Sequence, residues 1–266
     1  MDLIHPIFKW LHIIAGITWI GLLYFFNWIN GHVAATLDAD SKKKVVPELM
    51  PRALYFFRWG AAWTWVTGFV LLYVIFWSGS LGMGMTGEEG SMMADAEGTI
   101  NKWTHIMIAF TFLAVFIYDF IYSKFSTLNV RILTIISFLL IIGVECLMIH
   151  YGQFGYRAFN IHIGAMFGTM MAFNVWFRIW PAQQSIITSI KNGEAPDGDL
   201  LALAGLRSKH NTYMSVPLIW TMINEHTVVF SDYFWGVTGL SLVVIVALGW
   251  HIVWQLYKKS GQVKGF

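Results

Sequence analysis

Apolar residues in this chain arrive in blocks of about 20, and no other feature restricts the fold as strongly. A helix of that length covers the ~30 Å hydrocarbon core of a bilayer. Reading along the chain places such spans at about 6–28, 54–77, 103–123, 130–151, 158–180, 210–227 and 234–257. The sixth is short and polar and contains Pro217. A membrane helix tolerates proline when neighbouring groups satisfy the freed carbonyl. Only 12% of the residues are charged, about half the share in an ordinary soluble domain. The expectation is an all-α polytopic membrane bundle of about seven transmembrane helices, forming a single transmembrane domain over 1–266 without repeats. Segments 30–53 and 185–206 read as connections, the second broken at NGEAPDGD into short surface helices.

Charge placement sets the orientation. Lys42, Lys43, Lys44 and Arg52 fall in the 30–55 loop, whereas the 78–102 loop carries Glu88, Glu89, Asp95 and Glu97. With the N-terminus outside and the C-terminus cytoplasmic, every Lys and Arg except Lys9, Lys102 and Arg157 lies on the cytoplasmic side, as the positive-inside rule requires. Trp and Tyr crowd the expected helix ends, Trp77, Trp103, Tyr151 and Tyr257 among them, in the manner of an aromatic belt. The start, MDLIHPIFKWLHIIAG, lacks the basic region and small-residue cleavage site of a signal peptide. Cys146 is the single cysteine, so an internal disulfide, a zinc cysteine cluster and a CxxCH haem attachment are all excluded.

Histidines carry the chemical signal. His12, His105, His150, His162 and His226 lie in or beside the outer half of five different spans; His210 and His251 lie near inner ends. His210 and His226 share one helix but are 16 residues apart, ~24 Å at 1.5 Å per residue. They belong to two layers, one near each membrane face. A single interfacial histidine is usually a polar tip at headgroup level, but five at similar depth argue for an inward-facing role, because ionisable groups in a membrane are costly. Imidazoles from different helices are the usual axial ligands of a non-covalent haem. The two layers offer an outer set of candidate ligands, His12, His105, His150, His162 and His226, and an inner set, His210 and His251. Arg157 could clamp a propionate or anchor the interface. Glu145 must be protonated or paired at its depth, as a proton relay or in a structural hydrogen bond. The methionines of GMGMTGEEGSMM suit soft metals but read better as chance loop residues. Ala15, Gly16 and Gly21 form a small-residue stripe for close helix packing.

KWLHIIAGITWIG (9–21), IYDF (117–120), HYGQFGYRAFNIHIGA (150–165), MAFNVWFRIWPAQQ (171–184) and RSKHNTYMSVP (207–217) together resemble the membrane domain of the bacterial cytochrome-linked urate oxidase (urate hydroxylase) family. The resemblance implies oxidation of urate to 5-hydroxyisourate in the bacterial inner membrane. It matches His12, His150, His162, His210, His226 and His251 to family histidines, and leaves His105 unmatched. Gly60, Glu145 and Glu225 depart from the family pattern. Full-length relatives add an eighth helix and a cytochrome c domain; the present sequence stops at Phe266, which makes the expected electron acceptor a separate periplasmic cytochrome c.

The expected function is therefore haem-dependent oxidation of urate or a related purine, with one or two b-type haems. His210, Asn211 and Tyr213 would meet the substrate from the cytoplasmic side. Expected partners are the lipid bilayer and the cytochrome, with further copies of the chain or a respiratory complex, and no nucleic acid. One alternative is a non-catalytic b-haem electron-transfer subunit. A purine or metal transporter is the third, disfavoured because the chain shows no inverted repeat.

Overall fold

The computed structural model describes residues 3–78, 102–125, 129–224 and 240–265, and these are all-α. The helices are α1 (Ile4–Tyr24), α2 (Gly31–Thr36), α3 (Ala39–Leu72), α4 (Lys102–Lys124), α5 (Val130–His150), α6 (Tyr156–Phe173), α7 (Trp180–Asn192), α8 (Gly198–Ile223) and α9 (Leu240–Ser260). Wider π-helical turns extend three of them, at Phe25–Asn30 after α1, Tyr73–Trp77 after α3 and Asn174–Ile179 after α6. Pro181 follows the last of these. Its missing N–H interrupts the α-helical ladder there, and the wider turn re-pitches the chain.

Among the described residues, five helical stretches are long and apolar enough to cross a membrane: Ile4–Thr36, Ala39–Trp77, Lys102–Lys124, Val130–His150 and Leu240–Ser260. Their apolar side chains mostly face outward. The most apolar window, in α5, has a mean hydropathy of 2.7 yet is only 17% buried, the reverse of a soluble core helix. The two further spans expected from sequence correspond to α6 and α8, which are more polar. Their polar groups point inward: Asn160, His162, Arg207, Asn211, Thr212, Ser215 and Thr221 are all buried. The structure also moves two boundaries. The 30–53 connection is largely helical, since α3 starts at Ala39 and runs unbroken past Pro47 and Pro51. The sixth span begins at Gly198, not 210, with Pro217 inside it. The break at NGEAPDGD is present. Gly193 adopts φ 81° and Glu194 N–H donates to Ser189 O at 2.9 Å, closing α7. Asp197 Oδ1 then accepts from Asp199 N–H at 2.8 Å and opens α8.

The chain forms two compact units. The first comprises Met1–His5, Phe69–Met170 and Pro217–Leu248, and the second Pro6–Gly68, Met171–Val216 and Gly249–Phe266. In the first, α4 and α5 run antiparallel. Thr104 Oγ1 donates to Gly152 O at 2.8 Å, and the Tyr122 and Ser137 hydroxyls meet at 2.7 Å. Gly152 has no room for a side chain, because a Cβ would stand 2.7 Å from Met148 O. Gly164 lies so close to Thr221 that a Cβ would overlap the threonine hydroxyl.

In the second unit, Ala182, Ile186 and Ala204 form a small core with Ile190 and Leu200. The tight approach between α1 and α3 is made by Gly60, whose added Cβ would meet Trp19 N at 3.2 Å and Ala15 O at 3.3 Å. Gly16 makes only an ordinary contact and Gly21 faces open space. Ala15 and Gly16 of the small-residue stripe thus face α3, and a side chain at Gly60 would require Trp19 and Ala15 to give by a few tenths of an ångström.

Candidate functional site

His162, on α6 in the first unit, has no exposed surface. Its Nδ1 lies 2.7 Å from Ala158 O one turn back. A carbonyl can only accept, so Nδ1 bears the hydrogen. Its Nε2 lies 3.2 Å from Trp77 Nε1. An indole N–H can only donate, so Nε2 presents its lone pair. The two partners together define one neutral tautomer. Phe154, Phe76 and Trp77 surround the ring at centroid distances of 4.9, 5.9 and 6.1 Å. Trp77 is delivered by the π-helical turn at the end of α3; it is a hydrogen-bond partner of the histidine as well as an interfacial aromatic.

The same logic applies to His12 in the second unit. Its Nδ1 lies 2.9 Å from Thr64 O and 3.1 Å from Thr67 Oγ1. The Thr67 hydroxyl donates to Trp63 O at 2.6 Å, so it accepts from the imidazole. Nδ1–H is therefore shared between two oxygens, and Nε2 keeps its lone pair. Gly68 leaves space for this ring, because a Cβ there would stand 2.9 Å from His12 Cε1. A donated Nδ1–H with a free Nε2 lone pair is the state in which a histidine binds a metal or haem iron. His12 fits that requirement, and His162 has the same tautomer. In His162 the Nε2 position is taken by the Trp77 indole.

The other candidates are less enclosed. His150 is exposed at the end of α5. His251 is exposed on α9, with Nε2 3.2 Å from Gln255 Nε2 and its ring against Trp254. Arg157 is half-buried, its guanidinium 6.0 Å from the Phe76 ring centre. His226 and the methionine-rich segment lie outside the described residues. Among the described residues there is no cluster of three or more His, Cys, Asp or Glu suited to a bare metal ion.

In the second unit, α8 carries a polar seam. Asn211 is fully buried; its Oδ1 accepts from Asn174 Nδ2 at 2.8 Å and its Nδ2 donates to Met171 O at 3.0 Å. Its amide thus ties α8 to the π-helical turn that begins at Asn174. Asn27, in the turn after α1, donates to Leu23 O at 2.9 Å and Ser208 Oγ at 2.8 Å, and accepts from Tyr257 OH at 2.8 Å. Tyr24 and Ser215 hydroxyls meet at 3.0 Å. Tyr213 stacks on Tyr257 at 6.0 Å, and Lys209 Nζ lies 5.4 Å from the same ring. His210 is half-buried beside the positive charges of Arg207 and Lys209. Arg207 is only 1% exposed. On charge placement alone it reads as a loop cation, whereas it lies inside α8.

Sequence reading named His12, His162, His210, Asn211 and Tyr213 as site residues but not Thr64, Thr67, Trp77 and Asn174, which bond three of them, nor Asn27, which bonds Ser208 of α8. The available signal was weak: an asparagine within an apolar run, in FFNWIN and MAFNVWF. π-helical turns often mark functional positions in helices, and here each supplies a side chain that bonds a site residue or its helix.

A family model described as "urate oxidase N-terminal" matches residues 36–264. No curated protein and no solved structure matches the chain. The matched region contains His150, His162, His210, His226 and His251, the Asn174–Asn211 pair and Tyr213, while His12 precedes it. Because the match extends over most of its length, this chain belongs to the urate oxidase N-terminal family.

Proposed function

We propose that the chain is a multi-pass membrane oxidoreductase of the bacterial inner membrane that oxidises urate, or a closely related purine, with b-type haem. Family membership supplies the substrate class. The observation that supports haem ligation is His12, whose Nδ1–H is shared between Thr64 O and Thr67 Oγ1 and whose Nε2 keeps its lone pair. His162, fully buried in the first unit, has the same tautomer, and its Nε2 would exchange the Trp77 indole for iron. Each imidazole, within its own unit, would offer Nε2 to haem iron, with His150 and His226 as further outer candidates and His210 with His251 as the inner set. Bound haem would supply a one-electron acceptor buried in the helices, used twice per turnover and reoxidised by a separate periplasmic cytochrome c.

Conversion of urate to 5-hydroxyisourate takes up one water and releases two electrons and two protons. Arg207 and Lys209 beside His210 would supply positive charge to an anionic purine, and His210 is the candidate proton acceptor once that anion offsets their charge. The Tyr213 hydroxyl is a candidate contact to the purine edge. Asn211 acts one step back, because both ends of its amide hold protein groups. That last point also supports a second reading, in which the chain binds haem and transfers electrons without turning over urate.

An optical difference spectrum of the detergent-purified chain separates these readings. Reduction of a b-type α-band by urate supports the enzyme. Reduction by dithionite but not urate supports the electron-transfer subunit. Absence of any haem band refutes both. Loss of the band in H162A, with retained helical circular dichroism, is expected if His162 is an axial ligand.

A further inference from the structure

Glu145 lies within α5, the most apolar of the helical stretches able to cross a membrane. It is 2% exposed, and both carboxyl oxygens are buried without a hydrogen-bond partner. The structural hydrogen bond that sequence allowed for this residue is not formed. The contacts Thr104–Gly152 and Tyr122–Ser137 set the antiparallel register of α4 and α5. That register puts Glu145 level with Thr111 and Ala114, both buried. The Thr111 hydroxyl donates to Met107 O on its own helix. Of the ionisable groups of α4 and α5, Lys102, His105, Lys124, Arg131, Cys146 and His150 are exposed, and Tyr118, Asp119 and Tyr122 are half-buried; none is hydrogen-bonded to the Glu145 carboxyl. Among the described residues no cation pairs with Glu145, and Arg157 on α6 is not bonded to it.

A carboxylate held in such surroundings without cation or donor would cost several kcal/mol, and the neutral acid removes most of that cost. From this geometry we infer that Glu145 is a proton-binding site inside the membrane-spanning part of the protein, occupied at neutral pH. The ligand is the proton itself, taken up by the carboxylate as O–H. The site lies five residues from the end of α5, about 8 Å along the axis, close enough to exchange with the aqueous side at that end. The inference does not depend on urate turnover.

Infrared difference spectroscopy on the purified full chain tests it. The expected result is a protonated-carboxyl C=O band at neutral pH that moves down in D₂O and is missing in E145Q, a variant that keeps the side-chain size. Dicyclohexylcarbodiimide, which attacks protonated carboxyls in apolar surroundings, should modify Glu145 in the wild-type chain by mass spectrometry. A band that persists in E145Q, no band in the wild type, or a band unmoved by D₂O would each overturn the inference. So would carbodiimide labelling confined to other residues.

Discussion

Gly68 and His12 offer the most direct test of how the helices hold a candidate ligand. A methyl group added at Gly68 would stand 2.9 Å from His12 Cε1 and 3.3 Å from Nδ1. The ring must yield by several tenths of an ångström, and the shared bond to Thr64 O and Thr67 Oγ1, at 2.9 and 3.1 Å, moves with it. Overpacking of this kind costs about 1–3 kcal/mol, and a weakened hydrogen bond adds up to about 1 kcal/mol. Against this, alanine in place of glycine in a helix interior gains about 0.5–1 kcal/mol. G68A should therefore destabilise the wild type by a net of about 0–3.5 kcal/mol. In an H12A background the clash is absent, and the same substitution should stabilise by about 0.5–1 kcal/mol. The assay is a double-mutant cycle by equilibrium denaturation in detergent. A G68A effect of the same sign in both backgrounds would refute the claim that Gly68 exists to house the imidazole.

Three further outcomes follow from other contacts. G164A should lower thermal stability by about 1–3 kcal/mol through its overlap with Thr221, and T221G should rescue it where T221S does not. N211A removes both ties to Asn174 and Met171 and should cost about 2 kcal/mol at about 1 kcal/mol per bond; adding N174A should cost less than the sum of the single effects, read from denaturation midpoints. At the start of α3, the Ser41 backbone N–H and hydroxyl donate to the exposed Asp38 carboxylate and hold it below the usual carboxylate range. A depressed carboxylate stabilises above its unfolded range and loses that contribution as pH falls through its folded value. The protection of the Ser41 and Lys42 amides, measured against their intrinsic exchange rates, should therefore fall under acid conditions, and D38N should remove that pH dependence.

The sequence by itself determined which segments are apolar helices, because hydropathy over 20 residues is a local property of composition. It also determined the break at NGEAPDGD, where Gly193 and Asp197 act through their own backbone neighbours. The histidines and the Asn211–Tyr213 stretch stood out as polar groups within apolar runs. What tertiary structure decided was the partner of each polar group. Trp77 and His162 are 85 residues apart, and Asn27 and Tyr257 are 230 apart, so no local pattern joins them. The π-helical turns that aim Trp77, Asn27 and Asn174 are equally invisible, because a single extra residue in a helical turn leaves the hydropathy profile unchanged. Burial sorted residues that look alike in sequence. Arg207 lies inside its helix while Arg52 stays exposed, and His162 is enclosed while His150 is not. The physical reason is that a polar side chain's cost depends on which helix face finds a donor, an acceptor or nothing. Glu145 is the described case in which a buried carboxyl finds nothing.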